Sequence, residues 1–213
     1  MNFDIIIKNG NIVDGTNKPK FKSDIGIRNN KIQEIGFLEN STAKKIIDAS
    51  DLIISPGFID IHTHSDISVI NDPYNESKIY QGVTTEVTGN CSYSPFPSGN
   101  DDPNTLKEEL WEKRGNADDP ATVWKWTNFD EYANYLQEKQ TSLNIAPQVG
   151  YAALQIASGS VENRRATEEE LEKQMVNIWR TAFAFANRTV FDYPTQLVLS
   201  GTPLNETLVA LHQ

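Results

Sequence analysis

The chain has 213 residues, with 19 Lys plus Arg against 29 Asp plus Glu and a formal charge of −10 at neutral pH. That balance argues against a nucleic-acid phosphate backbone as partner. A hydrophobic fraction of 38% and the lack of any apolar run of about 18 residues argue against a disordered chain and against a membrane-spanning helix. The opening Met1-Asn2-Phe3-Asp4-Ile5-Ile6-Ile7 carries no basic segment and no small-residue cleavage site, so a first strand and a cytoplasmic location are expected. The one cysteine, Cys91, excludes an internal disulfide and leaves a packed thiol, a reactive thiol or a ligand.

Residues 4–54 read as a β meander of short alternating runs at 4–8, 11–13, 24–28 and 31–35. Asn9-Gly10 and Asn29-Asn30 tolerate the positive φ of tight hairpin turns and are expected to supply them. The all-β unit is expected to end near Ser55-Pro56-Gly57. From there the pattern changes to short strands alternating with helical segments, the mark of βα units. Strands are expected at 58–61, 82–88, 144–149 and 189–192. Helices are expected at 105–114 and at 129–140, where Phe129, Tyr132, Ala133 and Leu136 fall on one face. A third is expected at 167–184, where Thr167 precedes Glu170 by three positions as in a capping box. The proline-containing polar stretch 91–124 reads as an active-face loop or insertion, and residues 207–212 as the opening of an uncapped amphipathic helix, as though the chain were cut.

The chemistry concentrates after two strands. His62 and His64 are two residues apart behind Phe58-Ile59-Asp60-Ile61, and strand periodicity sends such a pair to one side, where both imidazoles reach one ion. The carboxyl end of a parallel strand is also where α/β enzymes keep their active sites. Cys91 follows the second strand and lies near the same end, and a thiolate beside two imidazoles suits zinc. The plainer alternatives are two polar histidines at a loop mouth and a buried thiol. The polar surroundings Asn90-Cys91-Ser92-Tyr93-Ser94 favour the ligand.

Gly57-Phe58-Ile59-Asp60-Ile61-His62-Thr63-His64-Ser65-Asp66 resembles the metal-binding first barrel strand of the amidohydrolase superfamily. Gly82-Val83-Thr84-Thr85-Glu86-Val87-Thr88-Gly89-Asn90-Cys91-Ser92-Tyr93-Ser94-Pro95 resembles, more narrowly, the N-acyl-D-amino-acid deacylases, or D-aminoacylases. The opening strand, the stretch from Trp124-Lys125-Trp126 to Tyr132, and Asn144-Ile145-Ala146-Pro147-Gln148-Val149-Gly150 extend the likeness. The resemblance implies an α/β fold: a partial TIM-type (β/α) barrel over residues 56–213, preceded by the N-terminal half of a small β sandwich over residues 1–55. It implies zinc as cofactor, with His62, His64 and Cys91 as ligands, and a zinc-activated water that attacks an amide carbonyl. Asp60 and Asp66 become candidates to orient a histidine or contact substrate, with a turn or solvated aspartate as the alternative.

The chain also departs from that family. Tyr151 stands where a histidine often follows the Val-Gly pair, and Asn187-Arg188-Thr189 stands near the usual Ser-Thr-Gly. Relatives are expected to be about twice as long, with later strands supplying more histidine ligands and an aspartate base. His212, the remaining histidine, is no replacement, so the catalytic residues stay unassigned and the isolated chain is expected to turn over slowly or not at all. The leading expectation is zinc-dependent hydrolysis of a linear amide such as an N-acyl-D-amino acid, with that small molecule as partner. The Cys91 segment disfavours a cyclic-amide hydrolase of the dihydropyrimidinase type, whose members commonly use a carboxylated lysine. A catalytically inactive, zinc-binding fragment is the contrasting expectation. An unclosed barrel leaves a strand edge and apolar side chains uncovered, which points to self-association or a complementing chain.

Overall fold

The computed structural model describes residues 1–99, 102–112, 123–160, 164–187 and 208–212. They form two compact units, one built from residues 1–58 with the C-terminal strand, the other running from residue 59 onward.

The first unit is a six-stranded sheet. Strand β1 (Asn2–Ile12) lies antiparallel to β2 (Phe21–Arg28), which pairs antiparallel with β3 (Lys31–Gly36). The Asn29-Asn30 turn has φ of 51° and 56°, the two left-handed residues a type I′ hairpin requires. Asn9-Gly10 does not turn the chain: β1 runs through it with a bulge between Ile7 and Gly10. The Asn9 N–H goes to Asp24 Oδ1 at 2.9 Å, so the extra residue is absorbed by a side chain instead of a reversal. A Cβ at Gly10 would lie 2.1 Å from Ile54 Cδ1, so a larger residue there would have to displace the buried Ile54 side chain. The unit is not a simple meander either. Strands β4 (Thr42–Asp48) and β5 (Leu52–Pro56) return to the other edge of β1 and pair with it in parallel, burying Ile7, Ile12, Ile25, Ile27 and Ile54 together.

Residues 208–212 overturn the helical expectation. They form strand β9 (Leu208–His212), antiparallel to β5, with Leu208 opposite Pro56 and His212 opposite Leu52. A short apolar run suits helix or strand equally, and the free N–H and C=O groups along the edge of β5 decide for the ladder.

The second unit is mixed α/β. Its sheet has the order β6 (Phe58–Asp60), β7 (Val83–Thr88), β8 (Asn144–Pro147), with β7 and β8 parallel. Between β6 and β7 lie two single-turn helices, α1 (Ser68–Asn71) and α2 (Glu76–Ile79), which the sequence reading passed over. Helix α3 (Pro103–Leu106) continues as a π-helical stretch, Lys107–Glu112. Helix α4 (Phe129–Lys139) buries Phe129, Tyr132 and Leu136, the face its spacing predicts, and Asn128 caps it by accepting the Glu131 N–H at 3.0 Å. Helix α5 (Tyr151–Ser158) was unforeseen. Helix α6 (Glu168–Asn187) opens on the expected capping box: Thr167 Oγ1 accepts the Glu170 N–H at 3.2 Å and Glu170 Oε2 accepts the Thr167 N–H at 2.7 Å. The strand expected at 189–192 lies outside the described residues.

The stretch 91–124 is not simply a polar loop. Residues 94–98 are buried, and Phe96 packs with Leu106, Leu110, Trp126, Phe129 and Tyr132 into the main core of this unit. Trp126 is fully buried and donates its Nε1–H to the Pro95 carbonyl at 2.8 Å, so the segment's aromatic residues outweigh its prolines and acids.

Candidate metal centre

Strand β6 stops at Asp60, one residue short of its expected end, so His62 and His64 sit in the bend that follows it and not on the pleat. They converge nevertheless. The His62 and His64 rings are 5.6 Å apart between centroids, Cys91 Sγ lies 3.3 Å from His62 Nε2, and one donor atom from each of the three residues falls within 4.8 Å of the others. All three side chains are exposed. Two nitrogens and a sulfur around one tetrahedral zinc would stand about 3.3–3.6 Å apart, given bonds of about 2.0–2.1 and 2.3 Å. The His62–Cys91 separation already meets that spacing, and the donor types are those zinc prefers.

Each arm is held by identifiable contacts. Asp60 Oδ1 accepts the backbone N–H of His62 at 3.1 Å, so the aspartate fixes the turn and not the imidazole. The Lys78 ammonium donates to Asp60 Oδ2 at 2.5 Å and lies 3.4 Å from Glu86 Oε1. That hydrogen bond holds the Asp60 carboxyl below its ordinary range and Lys78 above its own. Asn90 Nδ2 reaches back from the cysteine arm to the Thr63 carbonyl at 3.2 Å and to Val87 O at 2.7 Å. Tyr93 stands edge-on to His64 with centroids 6.1 Å apart.

The cysteine arm is bent sharply. Gly89, Cys91 and Ser92 all take left-handed φ, at 78°, 53° and 70°. For Cys91 and Ser92 this conformation costs about 1 kcal/mol or more each, a strain that persists only where neighbours impose it. Gly89 is required on two grounds, since a Cβ would lie 2.2 Å from the Gln148 carbonyl oxygen.

Asp66 is placed differently from Asp60. It is fully buried beneath the two arms, where its Oδ1 accepts the Gly89 N–H at 2.7 Å and its carbonyl accepts the Tyr132 hydroxyl at 2.6 Å. Burial pushes its carboxyl up to about 7, and the nearby Glu86 charge adds to the rise against the Gly89 bond. Among the described residues Asp66 Oδ2, Thr88 Oγ1 and Glu86 Oε1 find no hydrogen-bond partner, the last having the Lys78 ammonium at 3.4 Å as an ion pair. Asp66 therefore shapes the cysteine arm from below. His212 belongs to β9 in the first unit, while the three donors belong to the second.

Sequence reasoning missed Lys78, Glu86, Asn90 and Tyr132. For Glu86 a signal existed, because one carboxylate inside the β-branched run Val83–Thr88 is either solvent-facing or buried with a partner. Nothing in the spacing of Lys78 marks it.

Known proteins share this arrangement of chain. The amidohydrolase family profile matches residues 45–210. D-aminoacylase of Alcaligenes xylosoxydans xylosoxydans is 34% identical over 169 residues, which are 79% of this chain and 33% of that protein. The crystal structure of N-acyl-D-glutamate deacylase from Bordetella bronchiseptica, complexed with zinc and a phosphonate mimic of the tetrahedral intermediate, matches with a TM-score of 0.71 at 28% identity, over 85% of this chain and 36% of that one. A D-aminoacylase crystal structure matches with a TM-score of 0.69 at 31% identity, over 86% of this chain and 36% of that one. This chain thus spans about a third of the length of the relatives it matches. With its mixed α/β unit similar to those deacylases and the profile extending over most of its residues, the chain belongs to the amidohydrolase family.

Proposed function

We propose that this chain carries a zinc-binding portion of a hydrolase that cleaves linear amides, N-acyl-D-amino acids being the substrate class, with His62, His64 and Cys91 as ligands. The observation that carries the reading is the convergence of two imidazoles and a thiol from two separate strand ends, with Cys91 Sγ 3.3 Å from His62 Nε2. The matching deacylases and their zinc-containing structure support the choice of metal and of substrate class.

In this reading His62 and His64 would hold the ion through imidazole nitrogens and Cys91 through its sulfur. A bound zinc supplies a hydroxide at neutral pH and polarises the amide carbonyl. The rest of the work done by this chain is orientation. Asp60 and Asn90 hold the histidine arm through the His62 N–H and the Thr63 carbonyl, and Asp66 holds the cysteine arm through the Gly89 N–H. Among the described residues no carboxylate joins the three donors in their cluster, and Asp60 is engaged by Lys78 and the His62 N–H; without a general base, a group worth about 10²–10⁴ in rate, slow turnover is expected of these residues alone.

Metal analysis of the purified chain and of its His62→Ala, His64→Ala and Cys91→Ala variants tests the site. The expected result is zinc bound by the wild type and lost or greatly weakened in every variant; wild-type stoichiometry and affinity in all three would overturn it. Substrate class is tested by zinc-dependent cleavage of N-acetyl-D-amino acids, N-acetyl-L-amino acids and dihydrouracil side by side. Preference for the cyclic amide would contradict the linear-amide reading.

A further inference from the structure

Lys78 touches none of the three donors, yet its ammonium reaches both arms that carry them. It comes from the last turn of α2 and donates to Asp60 Oδ2 at 2.5 Å, with Thr63 Oγ1 at 3.5 Å. Those two residues flank His62, and Asp60 uses its other oxygen to hold the His62 backbone N–H at 3.1 Å. On its far side the same ammonium lies 3.4 Å from Glu86 Oε1, on the strand that leads into Cys91. Glu86 is wholly buried, and its other oxygen accepts from Asn75 Nδ2 at 3.3 Å. The short helix α2 and its Asn75 cap therefore grip β7 through Glu86 while Lys78 extends from the same helix to the histidine arm.

This connection matters because the histidine arm is otherwise tied to the cysteine arm by neutral contacts, chiefly Asn90 Nδ2 on the Thr63 carbonyl at 3.2 Å. Strand β6 is three residues long, Ile61, His62 and His64 after it are exposed, and the Thr63 N–H reaches the Val87 carbonyl only at 3.4 Å. The cysteine arm, by contrast, is anchored to the core through Asp66 and Tyr132. A donor set split between a loose arm and a rigid one keeps its spacing only if something spans the two.

We propose that Lys78 is a positioning residue that sets the spacing of His62 against Cys91 by bridging Asp60 and Thr63 on one arm to the buried Glu86 on the other. The proposal rests on the zinc reading above, and it assigns Lys78 no contact with metal or substrate. The competing role is charge neutralisation alone, since a buried carboxylate such as Glu86 needs a counter-charge. The two roles separate in a double variant, because Glu86→Gln removes the buried charge and with it the need for neutralisation.

The test measures two quantities in the wild type, Lys78→Met, Glu86→Gln and the Lys78→Met/Glu86→Gln double variant. The first is zinc affinity by competition with a chromophoric chelator. The second, which needs no metal, is amide hydrogen exchange at His62 in the zinc-free protein, with the β7 and β8 amides as internal reference for folding. Lys78→Met and the double variant are both expected to bind zinc about 10- to 100-fold more weakly, the range typical when a group supporting a metal ligand is lost. Both should also lose protection at His62 while keeping it in β7 and β8. Wild-type affinity in the double variant would show that Lys78 only neutralises Glu86 and would overturn the proposal. So would unchanged His62 protection in Lys78→Met. If the wild type took up no zinc, the functional reading would fall, and the exchange at His62 would still decide whether Lys78 holds the arm. Lys78→Arg, which keeps the charge and the donors, is expected to recover part of the His62 protection; no recovery beyond Lys78→Met would count against the bridge.

Discussion

Strands β6 and β7 are neighbours in one sheet, and their burial runs opposite to their polarity. In the β6 region Phe58, Ile59 and Ile61 are 45%, 53% and 74% exposed. In β7, Thr84, Thr85, Glu86 and Thr88 are all buried. The difference lies in position: β7 sits between β6 and β8, with Asn75 and Lys78 on Glu86 and Asn144 on the Thr84 carbonyl, whereas β6 is an edge strand three residues long. Burial of a strand is decided by its place in the sheet and by what packs on it, more than by its own hydrophobicity. For the metal centre this means one donor arm on an edge and the other on a buttressed central strand.

The largest effect is expected at the core that supports the β7 side. Trp126 is fully buried, stacks on Trp124 at 5.4 Å and reaches Pro95. Trp126→Ala is expected to cost about 3–5 kcal/mol, measured by urea unfolding followed through near-ultraviolet circular dichroism. A loss below about 1 kcal/mol would show that the cysteine arm does not depend on that core. Tyr132→Phe removes the hydroxyl that donates to the Asp66 carbonyl at 2.6 Å. It should cost about 1–2 kcal/mol in the same assay and raise the exchange rate of the Gly89 amide.

A smaller and pH-dependent effect is expected away from both strands, at the start of α6. The Arg164 guanidinium and the Thr167 N–H hold Glu170 down to about 2, from the 4.5 of a free glutamate. Because the folded value is depressed, this contribution is present in full above about pH 4.5 and is lost as pH falls towards 2. Glu170→Gln should therefore be less stable than the wild type at pH 7 and equal to it near pH 2; a stability gap independent of pH would contradict the pairing. The smallest effect belongs to the edge. Ile59→Thr is expected to change stability by no more than about 0.5 kcal/mol while lowering the binding of an apolar dye. A cost of about 2 kcal/mol would mean that β6 is buried in solution, as by a second chain.

Several parts of this molecule were legible in the sequence because local chemistry decided them. The Asn29-Asn30 hairpin, the amphipathic α4 and the Thr167–Glu170 capping box each depend on residues only a few positions apart. His62, His64 and Cys91 could be singled out together because ligand types recur after strands, although the bend that brings the histidines to Cys91 was read as a continuing strand. What stayed hidden depends on long-range partners. Asn9-Gly10 is a bulge because Asp24, 15 residues away, takes the free N–H. Residues 208–212 are a strand because β5 offers an edge. The buried Phe96 segment looked like a polar loop because the tryptophan and helix that cover it come about 30 residues later. Lys78 was invisible since its role exists only once Asp60 and Glu86 are side by side.

The central claim is that the two arms hold one ion between them, and cobalt(II) substitution tests it most directly. Titrating the zinc-free chain with cobalt(II) should give an intense thiolate-to-metal absorption band that saturates at one ion per chain. The band should vanish in Cys91→Ser, and both affinity and band intensity should fall in His62→Ala and His64→Ala. Saturation at one ion with no thiolate band in the wild type, or an unchanged band in both histidine variants, would contradict the account.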